Sequence, residues 1–154
     1  MTKKNDDAVA YSYELFIGAP AERVWEGLTN GELTKHYVFG TKFEGDLTPG
    51  APYAFVGDGG FRAVDGRIVE SLPGKRLVLT WSAHWDEAVG ADRPSRVRYE
   101  LAPSGAGATK LSVVHDDFDG ETATYKGSVE GWPAILSSLK TLLETGKPLA
   151  VGGP

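Results

Sequence analysis

From Val9 to Ile17 apolar and polar side chains loosely alternate in a stretch rich in Tyr, Phe and Ile, which predicts a first strand. The period changes at Gly18-Ala19-Pro20-Ala21-Glu22-Arg23-Val24-Trp25. Pro20 suits a helix's first turn, and Val24, Trp25 and Leu28 form one apolar face. Thr29-Asn30 closes this helix, and Asn30 can cap a second short one carrying Glu32, Leu33, Tyr37 and Val38. From residue 41 the period is two. It predicts strands at Thr41–Glu44, Pro52–Val56, Phe61–Glu70, Arg76–Ala83, Arg96–Leu101 and Lys110–Asp116. Between them lie turn or loop compositions such as Leu47-Thr48-Pro49-Gly50, Gly57-Asp58-Gly59-Gly60 and Leu72-Pro73-Gly74. Links this short join antiparallel neighbours, because a parallel return needs a dozen or more residues. A β-meander follows.

The last element is a helix over Glu121–Glu144. Tyr125, Val129, Trp132, Leu136, Leu139 and Leu143 are spaced 4, 3, 4, 3 and 4 residues apart, an apolar stripe that Ile135 and Leu142 widen. Gly146 and Pro148 form its stop signal. Pro133 removes one backbone hydrogen bond, so it either kinks a single helix near Val129–Trp132 or marks a new start. The unbroken stripe favours the kinked single helix. A curved antiparallel sheet with one apolar face and a helix with one apolar stripe bury both by packing together. The expected architecture is therefore α+β: the long helix lies across the concave face of the sheet, two short helices close one end, and a pocket is left between helix and sheet.

Composition narrows the chemistry. The chain has 154 residues and no cysteine, which excludes disulfides, thiolate metal sites and a cysteine nucleophile. A net charge of −5 with no Lys/Arg block argues against nucleic acid or an anionic membrane as partner. No apolar run approaches the ~20 residues needed to cross a bilayer, and no apolar stretch follows Lys3-Lys4 to make a signal peptide. A cytoplasmic protein without membrane insertion is expected.

Several local motifs then occur in a telling order. Ala19-Pro20-Ala21-Glu22-Arg23-Val24-Trp25 follows the first strand, Leu33-Thr34-Lys35-His36-Tyr37 the first helix, and Asp65-Gly66-Arg67-Ile68-Val69-Glu70 lies mid-chain. Arg76-Leu77-Val78-Leu79-Thr80-Trp81, Ala108-Thr109-Lys110-Leu111-Ser112-Val113-Val114-His115 and Gly131-Trp132-Pro133-Ala134-Ile135-Leu136 come after. Together with the order of elements, they resemble the START-like (SRPBCC) superfamily with its helix-grip fold. The subgroup most similar is that related to the activator of Hsp90 ATPase, also described as polyketide-cyclase-like. The resemblance spans residues 9–148 and implies one START-like domain there, with flexible tails at 1–8 and 149–154. It implies no single function, since that superfamily holds lipid carriers, hormone receptors, cyclases and co-chaperone domains on one scaffold.

The residues themselves leave alternatives open. His36, His84 and His115 have no metal-ligand spacing, and Asp116-Asp117-Phe118-Asp119-Gly120 lacks the ligand ladder of a calcium loop, so Asp119 is expected to help cap the last helix. His115 shares a strand face with Leu111 and Val113, where it is a satisfied core histidine, a ligand-orienting group or an acid/base. Glu70 shares a face with Ile68, so it either pairs with Arg62 or Arg98 on the outer face or anchors a ligand inside. Trp25, Trp81 and Trp132 are core or cavity wall, and Trp85 begins a loop, Asp86 to Ser95, suited to gating an opening. Ser104-Gly105-Ala106-Gly107 is a hairpin turn, not a phosphate loop.

The candidate cavity residues are thus Trp25, His36, Tyr37, Phe55, Ile68, Glu70, Leu79, Trp81, Val113, His115, Trp132, Leu136 and Leu139. No catalytic residue, metal or cofactor is assigned. The expected partner is a small apolar or amphipathic molecule bound between sheet and helix. The alternatives are a cyclase- or dehydratase-like enzyme using His115, and a chaperone-associated module, for which the sequence offers no matched surface. An edge strand or the N-terminal helices provide a route to a homodimer.

Overall fold

A computed structural model describes residues 9–149, so the expected tails lie outside the described residues apart from Leu149. The elements are β1 (Tyr11–Ile17), α1 (Ala21–Thr29), α2 (Gly31–Thr34), β2 (Lys42–Gly45), β3 (Pro52–Val56), β4 (Arg62–Leu72), β5 (Arg76–Ala83), α3 (Glu87–Gly90), β6 (Ser95–Ser104), β7 (Ala108–Asp116) and α4 (Ala123–Thr145). The strands form one antiparallel sheet in the order β1-β7-β6-β5-β4-β3-β2. β2 to β7 is the expected meander. β1 joins it at the far edge, so α1 and α2 must carry the chain across the end of the sheet.

Register puts the apolar residues of successive strands on one face. His115 lies between Tyr11 and Val97, Val113 between Tyr13 and Tyr99, and Leu111 between Leu15 and Leu101. Tyr99 continues to Leu77 and Val97 to Leu79. The buried residues of these rows form the core with α4.

The ends of α4 are set by local chemistry. The Thr122 hydroxyl accepts from the Tyr125 amide, and Asp92 accepts from both the Thr124 amide (2.9 Å) and its hydroxyl (2.6 Å). Asp119 plays no part in this cap, contrary to expectation: Thr122, closer to the first turn, and Asp92, brought in by the β5–β6 loop, satisfy those amides instead. Gly146, at φ 81°, closes the other end and donates to the Leu142 carbonyl.

α4 runs unbroken through Pro133, so the proline does not start a new helix. Its missing N–H frees the Val129 carbonyl, which water can reach because Val129 is 40% exposed. The buried stripe is rotated from the expected one: Thr124 and Ser128 are buried, whereas Val129 faces out. A 3.6-residue helix drifts relative to a strict seven-residue spacing, and the hydrogen bonds to Asp92 turn Thr124 inward. Gly127, Gly131 and the freed carbonyl weaken the first half of α4, while Ile135–Leu143 is rich in strong helix formers. Hydrogen exchange by NMR is expected to be faster at 124–132 than at 135–143. Equal protection would contradict this division of the helix.

Elsewhere, Gly27 admits α4 closely against α1: a Cβ there would sit 2.9 Å from Leu139 Cδ1. Helices also occupy the sheet's outer edges. Lys140 donates to the Phe16 carbonyl of β1, and the Phe43 amide of β2 donates to the Thr34 hydroxyl. The expected loop at Asp86–Ser95 contains the one-turn helix α3, capped by Asp86 accepting from the Val89 amide. Among the described residues no helix is long and apolar enough to cross a membrane.

Candidate ligand-binding site

Between α4 and the sheet lies a chain of aromatic rings. Phe55 meets Trp81 with ring centroids 5.9 Å apart, Trp81 meets Trp132 at 5.5 Å, and Trp132 meets Tyr99 edge-on at 6.0 Å. A narrow gap remains in this wall, lined by Tyr37, Phe55, Trp81, Trp132 and Leu136 among the expected residues. Four more, Leu28, Val38, Tyr99 and Ile135, complete it. Measured at the centre of a water-sized sphere its volume is about 10 Å³, which is the scale of a single water. The pocket expected between helix and sheet is thus present as a narrow gap.

Ile68, Leu79, Val113 and Leu139 are fully buried on the same inner surfaces but stand behind the lining. Three candidates are elsewhere. His36 is exposed, because Thr34 and Tyr37 take the inward positions of that turn. Trp25 is half-buried against the core's edge, and Leu28, one turn later on α1, reaches the gap instead. Glu70 is on the outer face. A bulge between Ile68 and Glu70 shifts the register, so that Ile68 pairs with Leu79 but Glu70 with Val78, and the two-residue alternation fails there. Its partner is Arg76 at 3.0 Å, not Arg62 or Arg98, and Arg76 also donates to Glu100 at 2.6 Å.

Of the residues that sequence reasoning missed, Tyr99 was the most accessible, since Val97, Tyr99 and Leu101 alternate along one strand. Ile135 already widened the α4 stripe. Val38 was read with Leu33 and Tyr37 in the second short helix, but α2 ends at Thr34, so Tyr37 and Val38 reach the gap from the turn that follows it.

His115 is 1% exposed and has a partner at each ring nitrogen. The indole of Trp132 donates to Nδ1 at 3.1 Å, and Nε2 lies 2.8 Å from the Ser95 hydroxyl. An indole N–H can only donate, so Nδ1 carries the lone pair and Nε2 the proton. Ser95 then accepts from His115 and donates its own O–H to the Trp81 carbonyl at 3.4 Å. In a hydrolytic triad, the imidazole accepts from the serine and a carboxylate holds the other nitrogen. Here the direction is reversed. Burial, opposed by the neighbouring Asp116 carboxylate, lowers the His115 pKa to about 3 and keeps the ring neutral. The ring of Phe118, from the acidic β7–α4 loop, lies 4.5 Å from that of His115.

No Asp, Glu, Lys or Arg belongs to the buried set of the described residues. Charges stay outside: His84 bonds Asp65 at 2.8 Å, and Arg96 bonds Asp116 at 3.0 Å. Trp85 is 50% exposed and leans towards α4, where a Cβ on Gly127 would lie 3.9 Å from its ring.

A long helix gripped by a curved seven-stranded antiparallel sheet, with two short helices after the first strand, defines a START-like protein. Residues 18–144 match the family described as Activator of Hsp90 ATPase homolog 1-like protein, and the chain belongs to that family. Protein MLL2253 from Mesorhizobium loti is similar at 28% identity and a TM-score of 0.74, covering 88% of this chain and 97% of its own. An HSP90 activator from Plasmodium falciparum, PFC0360w, shares 19% identity with a TM-score of 0.70, over 90% of this chain and 97% of its own. The Aha1 dimer from Colwellia psychrerythraea shares 21% identity with a TM-score of 0.71, over 90% and 98%. The last two likenesses are of fold. No curated protein sequence matches the chain.

Proposed function

We propose that this protein binds a small, uncharged apolar or amphipathic molecule between α4 and the concave face of the sheet. The observation that carries the reading is the gap itself: its lining is aromatic and aliphatic, and no ionised side chain is buried with it. A charged ligand would lose its hydration there without gaining a partner. With room for about one water, the site takes a ligand by opening rather than by filling a ready-made hole.

The gap lies where α1 and the turn after α2 (Leu28, Tyr37, Val38) meet α4 (Trp132, Ile135, Leu136) and the sheet, so a ligand enters by parting these elements. An acid/base role for His115 draws less support, since both ring nitrogens are occupied by internal partners.

The neutral fluorophore N-phenyl-1-naphthylamine tests the reading. Its emission is expected to rise with energy transfer from Trp81 and Trp132 and to saturate at one probe per chain. A folded sample that neither brightens the probe nor loses tryptophan emission at micromolar concentrations would end the proposal.

A further inference from the structure

Two buried donors in the wall of the gap have no hydrogen-bond partner among the described residues, the Tyr99 hydroxyl and the Trp81 indole N–H, and the phenol is the more acidic and stronger donor of the two. Tyr99 is 5% exposed. The other buried tyrosines are satisfied: Tyr37 donates to the Gly27 carbonyl and Tyr53 to the Thr80 carbonyl, each at 2.6 Å. Buried hydroxyls without a partner are rare in folded proteins, because desolvation is then uncompensated. Burial also raises the Tyr99 pKa far above neutrality, so the group stays a protonated donor.

Resting on the binding reading above, we infer that the Tyr99 hydroxyl selects the ligand, by donating to a carbonyl-type acceptor on an otherwise apolar, planar molecule. The class follows from the surroundings. Trp81 and Trp132 offer flat faces and edges for an aromatic body. The neutral His115 has no nitrogen left to share, so the free donors within the lining are the Tyr99 hydroxyl and the Trp81 indole N–H, of which the phenol makes the stronger bond. A carboxylate or an ammonium finds no counter-charge.

Two naphthalenes of nearly equal shape separate the possibilities. 2-Acetylnaphthalene carries a carbonyl, and 2-isopropenylnaphthalene replaces it with C=CH2. The wild-type chain is expected to bind the ketone roughly 5–10-fold more tightly, as one net hydrogen bond implies. Tyr99→Phe, which removes only the hydroxyl, is expected to abolish that preference while leaving the hydrocarbon's affinity unchanged. Its thermal midpoint is expected to equal or exceed that of the wild type. Retention of the ketone preference in Tyr99→Phe would overturn the assignment to Tyr99 and point to the Trp81 indole instead. A midpoint several degrees lower would overturn its premise, since the hydroxyl would then already be satisfied within the fold. If neither compound binds the folded wild type, the binding reading falls with it.

Discussion

Acidification from pH 7 to pH 4 will cost the folded chain about 3 kcal/mol through His115 alone. The sign follows from proton counts. In the unfolded chain the imidazole titrates near 6.5, whereas burial lowers its folded pKa to about 3. Between those values the unfolded state holds the extra proton, so stability rises with pH at up to ~1.4 kcal/mol per unit. The contribution is complete above pH 6.5 and is lost as the pH falls towards 3.

Urea unfolding at half-unit steps from pH 4 to 7 measures it, in the wild type and in His115→Phe. The variant keeps the ring volume but does not titrate, and its profile should be flatter by that slope. Carboxylates add a background common to both proteins. Hydrogen bonds from Lys35 and Lys42 hold Glu32 down to about 2, and those from Lys140 and the Gly18 amide hold Glu144 below its ordinary value. For Asp65, burial pushes upwards, but hydrogen bonds from His84 and Arg62 outweigh it. Parallel wild-type and variant profiles would mean that His115 is protonated within the fold, and the neutral Trp132–His115–Ser95 chain would be wrong.

Trp132→Ala is expected to lower stability by about 3–5 kcal/mol, the cost of emptying a close-packed aromatic site. The indole is 3% exposed, meets the rings of Trp81, Tyr99 and His115, and supplies the donor to Nδ1. Trp132→Phe separates packing from hydrogen bonding. It retains most of the ring and leaves Nδ1 unpaired, for an expected loss of about 1–3 kcal/mol. Denaturant midpoints at constant slope provide both numbers. A loss below ~1.5 kcal/mol for the alanine variant would show that the ring borders a hollow. The narrow gap of about 10 Å³ would then understate the interior space.

The site's wall was only partly legible in the sequence. Tyr37, Phe55, Trp81, Trp132 and Leu136 carried clear signals, because large apolar residues at strand or helix period must face a core. His115 could be placed on the inner face by counting twos from Leu111, and it is buried there. Counting twos failed at Glu70, since a bulge adds one residue to a strand without any mark in the hydrophobic pattern. It could neither bring Val38 to the wall nor exclude His36, because both directions depend on the turn after α2.

Residues 9–149 thus divide by the range of the forces involved. Local periodicity, turn chemistry and helix signals determine the seven strands, their antiparallel order from β2 to β7, and the long terminal helix, because each depends on neighbours a few positions apart. Which hydroxyl is left without a partner, how the protons run through Trp132, His115 and Ser95, and how little space remains beneath α4 depend on atoms distant in the chain. Such contacts are fixed by packing at the scale of tenths of an ångström, and only the folded arrangement decides them.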